Sequence, residues 1–206
     1  SIIEDASHAI GARYRNQMIG SCEFSDITVF SFHPVKIITT GEGGMAMTND
    51  ASLAKKLRSF RSHGITRNEN EMLSEPDGPW YYEQIDLGYN YRMTDLQAAL
   101  GLSQLRRIER FIQRRQKIAS LYGASLSKLD VKLPFQSSNV QSALHLYVVQ
   151  VRAGDRLRIF KSLHDCGVMV NLHYIPVYRH PFYSKLGYAR EDFPNSENYY
   201  ARALSL

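Results

Sequence analysis

The chain has 206 residues, of which 44% are hydrophobic and 22% charged, with a formal net charge of +5 at pH 7. That is an ordinary globular composition, long enough for one large domain or two small ones around a sizeable core. No apolar run approaches membrane-spanning length, and the opening SIIEDASHAIGARYR lacks the basic start and cleavage site of a signal peptide, which sets a cytoplasmic location and no membrane partner as expectations. The excess of positive charge leaves room for an anionic ligand. Its carriers, however, are spread over residues 55–61 and 106–115, which read as solvated helix faces. No zinc-finger, helix-turn-helix or aromatic-basic strand pattern is present, so no nucleic-acid partner is expected. Cys22 and Cys166 match no metal or redox spacing and read as small packed residues, with no metal site expected.

In chain order, short β-rich runs come first, at residues 1–4, 26–32 (DITVFSF) and 44–48 (GMAMT), separated by Gly-containing turns. Asn49 or Asp50 then caps a helix whose Leu53, Leu57 and Phe60 recur at helical spacing and whose last turn is basic before Gly64. Residues 65–91 are turn-rich and aromatic, with Trp80, Tyr81, Tyr82, Tyr89 and Tyr91, the composition of a functional or mobile loop. Thr94 and Gln97 form a capping box. The helix they start is predicted to run, with a break, to about Tyr122, and to turn Leu96, Ala99, Leu100, Leu105, Ile108 and Ile112 toward a core. A second unit follows, with a strand over 144–151, a helix over 155–166 closed by Gly167, and a strand over 168–174. The pattern predicts an α/β domain over residues 1–123 and a small α+β domain over 124–206.

The segment FSFHPVKIITTGEGG places Lys36 between a strand and a glycine-rich turn, five residues after Ser31, with no other Asp, Glu, Lys or Arg between Asp26 and Glu42. Two readings fit. Partial desolvation lowers a lysine's pKa and makes it a Schiff-base nucleophile, but a lysine can also snorkel from a half-buried loop. Asp5, in EDASH, sits at the carboxyl end of the first strand, where open α/β folds bind ligands. It could hold a protonated heterocyclic nitrogen or cap a helix. His8 could lie against such a ring or be a hydrogen-bonded interior histidine.

Taken together, EDASHAIGA, FSFHPVKIITTGEGG and GYNYRMTDLQAALGL, in that order, resemble the DegT/DnrJ/EryC1/StrS group of pyridoxal-phosphate (PLP) sugar aminotransferases. The resemblance implies the large domain of an aspartate-aminotransferase-like, fold type I PLP-dependent transferase followed by its small domain. It implies that Lys36 is the Schiff-base lysine, Asp5 pairs with the pyridine nitrogen, His8 sits beside the ring and Ser31 binds the cofactor phosphate. Asn90 matches a position that reaches the phosphate of the neighbouring subunit's cofactor, which implies a homodimer with shared sites. Arg92 would assist by charge. His173, Tyr174, Tyr178 and His180 fall in a segment, with the aromatic loop, where the sugar nucleotide is expected. WYYEQIDLGYNYRMTDLQAALG and VNLHYIPVYRHPFY look most like members that use L-glutamate to aminate a UDP-linked 4-keto sugar in pseudaminic acid biosynthesis. Dehydratases of the group carry histidine in place of the lysine, and Lys36 argues against them. Relatives are longer at the amino end, where a Gly-Thr turn binds phosphate, and continue past LSL, so an excerpt of a longer enzyme is expected.

Overall fold

A computed structural model describes residues 1–206 and shows two compact units, residues 1–113 with 138–143 and residues 114–137 with 144–206. The first contains β1 (Ile3–Asp5), β2 (Arg13–Tyr14), β3 (Gln17–Met18), β4 (Ile27–Ser31), β5 (Gly44–Met47), α1 (Ala51–Arg61), β6 (Ile65–Thr66), β7 (Glu83–Gln84), α2 (Asp95–Leu105), the start of α3 (Ile108–Leu126) and β8 (Val140–Gln141). Strand β4 is central to a three-stranded sheet, parallel to β1 and antiparallel to β5, with Asp5 opposite Val29 and Ser31 opposite Gly44. The two-residue period of ITVFS buries Thr28 and Phe30 and exposes Val29. Thr28 tolerates complete burial because its hydroxyl is satisfied, donating to Glu4 Oε2 at 2.9 Å and meeting Ser25 Oγ at 3.0 Å. Phe30 and Phe32 pack with Ala6 and Ile38, while Ile37 joins Ala12 and Ala143. The two isoleucines after Lys36 are therefore core anchors.

Asp50 is the cap of α1, its Oδ1 accepting from the amides of Ser52 at 2.7 Å and Leu53 at 2.9 Å. The aromatic segment returns against the end of this helix: Tyr89 N donates to Phe60 O and Tyr91 N to Arg61 O. Gly64 permits that approach, since a Cβ there would lie 2.0 Å from Asp86 O. The predicted capping box starts α2, with Thr94 N donating to Gln97 Oε1 at 2.9 Å and Gln97 N to Thr94 Oγ1 at 3.3 Å. The expected helix break falls at Arg106 and Arg107. The inward face of α2 differs from the expectation. Leu96 is 85% exposed, and Leu100 and Leu105 are also exposed, whereas Ile108 and Ile112 of α3 do pack into the core. The side of α2 that meets its own fold is polar.

The second unit holds β9 (Val148–Gln150), α4 (Arg156–Asp165), α5 (Pro181–Ser184), α6 (Pro194–Tyr200) and β10 (Ala203–Ser205). Strands β9 and β10 are antiparallel, and Val149, Val151, Val170 and Leu204 form a core covered by Ile159, Phe160 and Leu163. Leu144 has a φ of +54°, which interrupts the extended run and delays the first predicted strand to Val148. Gly167, with a φ of +78°, closes α4 as the sequence predicted. The strand expected over 168–174 shrinks to one bridge, Asn171 with Ser205, because Val170 N turns back onto Val168 O.

Candidate functional site

In the first unit, Asp5 ends β1 and Ser31 ends the neighbouring parallel strand β4, so both lie at the carboxyl edge of the sheet, with Lys36 on the turn that follows. Lys36 is half-buried, and its amide donates to His33 O at 3.0 Å. Asp5 Oδ1 accepts from the Ser7 hydroxyl at 2.5 Å and the Ser7 amide at 3.0 Å. These bonds, and then the positive charges of His8 and Lys36, hold the Asp5 carboxyl below the usual carboxylate range. Asp5, His8 and Lys36 thus share one electrostatic neighbourhood. Ser31 Oγ takes only a long 3.4 Å bond from His33 N, leaving its hydroxyl proton to donate. Asn90 is exposed between Tyr89 and Tyr91, whose rings stack at 4.8 Å, and its backbone is bridged to Ser62. Arg92 is exposed and lines, with Arg58 and Arg61, a cleft of about 940 Å³ beside β5.

The other candidates belong to the second unit. His173 Nδ1 lies 2.8 Å from Ser205 Oγ, and its ring meets Tyr174 edge-on at 4.7 Å. Tyr174 and His180 are exposed. Tyr178 is engaged within its own unit: its hydroxyl donates to Glu197 Oε1 at 2.9 Å and its ring stacks on Phe193 at 4.3 Å. Arg179 also grips Glu197, through Nε to Oε1 at 2.8 Å and Nη2 to Oε2, with its guanidinium 4.4 Å from the Tyr200 ring.

The Arg179 hydrogen bonds, helped by the Tyr178 hydroxyl and the Arg179 charge, push the Glu197 carboxyl down to about 2 from an ordinary 4.5. A depressed carboxylate contributes stability that is complete above the unfolded value and is lost as pH falls toward the folded one. The urea-midpoint difference between wild type and Glu197→Gln is therefore expected to be constant above pH 4.5 and to close between 4.5 and about 2. A difference unchanged across that window would show that the ion pair adds nothing.

The DegT/DnrJ/EryC1/StrS aminotransferase family model matches residues 1–206. The chain belongs to this family. It is 42% identical over 212 residues to the spore coat polysaccharide biosynthesis protein SpsC of Bacillus subtilis, covering 100% of this chain and 54% of that one. It is 36% identical over 210 residues to the UDP-4-amino-4,6-dideoxy-N-acetyl-beta-L-altrosamine transaminase of Campylobacter jejuni, covering 100% and 52%. Spr1654 of Streptococcus pneumoniae, solved in a PMP form, superposes with a TM-score of 0.89 at 30% identity over 99% of this chain and 53% of that one. The chain spans about half the length of the curated relatives it matches. The α/β fold expected from the sequence, that of PLP-dependent transferases, is the fold observed.

The side chains of this DegT-family chain fit the family cofactor. PLP asks for an amine to bond its aldehyde carbon, an anion for its ring nitrogen and a donor for its phosphate. Lys36, Asp5 and Ser31 offer one of each at the same sheet edge, and Ser7 occupies only one Asp5 oxygen. Neither Ser7 nor Glu197 stands out as a site residue in the sequence. A serine two residues after an aspartate signals an Asx-type turn that could have marked Ser7, whereas nothing in sequence links Glu197 to Arg179 eighteen residues earlier.

Proposed function

We propose that the full-length protein is a PLP-dependent aminotransferase that moves an amino group from L-glutamate to the 4-keto carbon of a UDP-linked N-acetylated 6-deoxy sugar, in cytoplasmic pseudaminic acid biosynthesis. The observation that carries the reaction class is Lys36 following the parallel pair β1 and β4, with Asp5, whose carboxyl oxygen accepts two bonds from Ser7, at the same sheet edge. PLP, when bound, supplies an electrophilic carbon and an electron sink. Lys36 Nζ would supply the nucleophile for that carbon and the base that holds or moves a proton at the donor's α-carbon. The anionic Asp5 would hold the ring nitrogen in its protonated form, His8 would sit beside the ring, and the Ser31 hydroxyl would bind the phosphate. Ping-pong kinetics follow from an amine that is stored between two substrates.

Residues 1–123 would then form part of the PLP-binding large domain with its connecting helix, and residues 124–206 the small domain. Asn90 would reach the cofactor phosphate of a second subunit, with Arg92 adding charge. His173, Tyr174, Tyr178 and His180 would line the sugar-nucleotide site, with Tyr178 contributing through its backbone and ring because its hydroxyl serves Glu197.

The higher identity to SpsC favours a second reading, the same reaction on another nucleotide-linked keto sugar. Purified full-length protein assayed with glutamate against UDP- and dTDP-linked 4-keto sugars separates the two. The UDP-linked N-acetylated sugar is expected to be preferred by about 10⁴-fold, the scale set when a site built to pair with polar groups meets an analogue that leaves them unpaired. Turnover of dTDP sugars alone would reject the pseudaminic assignment, and absence of any glutamate-sensitive visible band would reject the enzyme.

A further inference from the structure

The loop that carries Lys36 is closed at its base and tied to a helix that carries none of the candidate catalytic side chains. Phe32 O accepts from the Thr40 amide at 3.0 Å and from Thr39 Oγ1 at 2.9 Å, while Phe32 N donates to Gly43 O at 2.8 Å. Helix α2 takes hold of both sides of this base. Gln104 Oε1 accepts from the Thr39 amide at 3.0 Å, and Gln97 Nε2 donates to Glu42 O at 3.0 Å, an oxygen that also accepts from Thr40 Oγ1 at 2.6 Å. Between them on the same helix face, at i+4 from Gln97 and three residues before Gln104, stands Gly101. Glycine inside a helix is unfavourable and asks for a reason. Here a Cβ would come within 2.8 Å of Thr40 Cγ2, so only glycine lets the helix sit this close to the loop.

We propose that Gln97, Gly101 and Gln104 are positioning residues that clamp the loop base and thereby fix where Lys36 presents its amine, resting on the reading of Lys36 as the cofactor lysine. The stripe replaces the apolar contact an amphipathic helix would ordinarily make. Two amides bind two backbone groups of the loop, which leaves little freedom to slide, whereas a greasy contact would permit it. Gln97 has a double duty: its Oε1 accepts from Thr94 N at 2.9 Å and Thr94 Oγ1 at 3.0 Å, so the start of α2 and the loop base are set by one side chain.

The same chemical change at the two glutamines gives opposite predictions. Gln104→Glu keeps the oxygen that accepts from Thr39 N. Gln97→Glu keeps the cap on Thr94 but loses the donor to Glu42 O and sets a carboxylate against that carbonyl. Hydrogen exchange of residues 37–43 in the full-length protein without cofactor is expected to quicken about ten-fold in Gln97→Glu and Gln104→Leu, the scale of one lost intramolecular hydrogen bond. Gln104→Glu should stay within about two-fold of wild type. Unchanged thermal unfolding of Gln97→Glu would show that the cap survives. Borohydride fixation of added PLP on Lys36 should slow in the two loosened variants and not in Gln104→Glu. Equal behaviour of both Glu variants, or a loosened loop that fixes PLP at the wild-type rate, would overturn the clamp. Absence of fixation in the wild type would overturn the aminotransferase reading instead, with the exchange pattern still deciding whether the clamp exists.

Discussion

Lys36→Ala in the full-length protein is expected to abolish transamination, with kcat falling by about 10⁴-fold, the upper end of what one positioned acid/base group supplies, because the same amine is also the nucleophile. The visible band of the bound cofactor should lose its glutamate-sensitive shift, and borohydride should leave no cofactor mass on the chain. The fold should survive. Lys36 is half-buried and its anchors are its neighbours Ile37 and Ile38, which are 5% and 3% exposed and keep their contacts when the lysine is shortened. Lys36→Arg sharpens the result. It preserves the positive charge that Asp5 feels but provides no nucleophile, so it should be as inactive as the alanine variant. Measurable turnover by Lys36→Arg would mean that the charge, and not the amine, is what the site uses.

Asp5→Asn is expected to lower kcat by roughly 10²–10³-fold, the cost of removing one preorganised electrostatic partner, while borohydride fixation on Lys36 persists. The amide can still accept from Ser7 through its oxygen, so the turn that holds the side chain is retained and only the charge is lost. Because the bonds from Ser7 are the main reason the Asp5 carboxyl is depressed, Ser7→Ala should raise it toward the ordinary 3.8. The sign is fixed by the direction of the shift. A carboxylate held low stays ionised further into acid, so the acid limb of kcat in Ser7→Ala should lie above that of wild type, with the neutral-pH plateau unmoved. A limb that moves the other way would remove Asp5 from its assigned role.

Much of the local structure was legible because short-range chemistry set it. Asp50 caps α1, Thr94 and Gln97 form the capping box, and Gly167 closes α4, each through groups a few residues apart. The central strand of the main sheet, β4, also falls where alternation and its β-branched Ile27, Thr28 and Val29 place it, and β1 and β5 lie within the runs expected over 1–4 and 44–48 except for Asp5, one residue beyond the first. The sequence missed the orientation of α2. Helical periodicity identifies an apolar face but not what faces it, and here the leucines look outward while Gln97, Gly101 and Gln104 meet the loop. The strand expected over 168–174 failed for a related reason, since extended residues become a strand only where a partner offers a continuous ladder, and Ser205 offers one bridge.

For the site, the sequence by itself determined which candidate groups the chain carries and in what order. A lysine between strand and glycine turn, an aspartate at a strand end and a serine between them are covalent facts of one chain, and the segments that carry them, with GYNYRMTDLQAALGL, resemble the family that the whole chain matches. Only the tertiary structure decided which groups govern them. That Ser7 donates to the Asp5 carboxylate, that Glu197 takes the Tyr178 hydroxyl, and that a helix some sixty residues downstream grips the backbone beside Lys36 all depend on hydrogen bonds, whose reach is about 3 Å in space and has no fixed length in sequence.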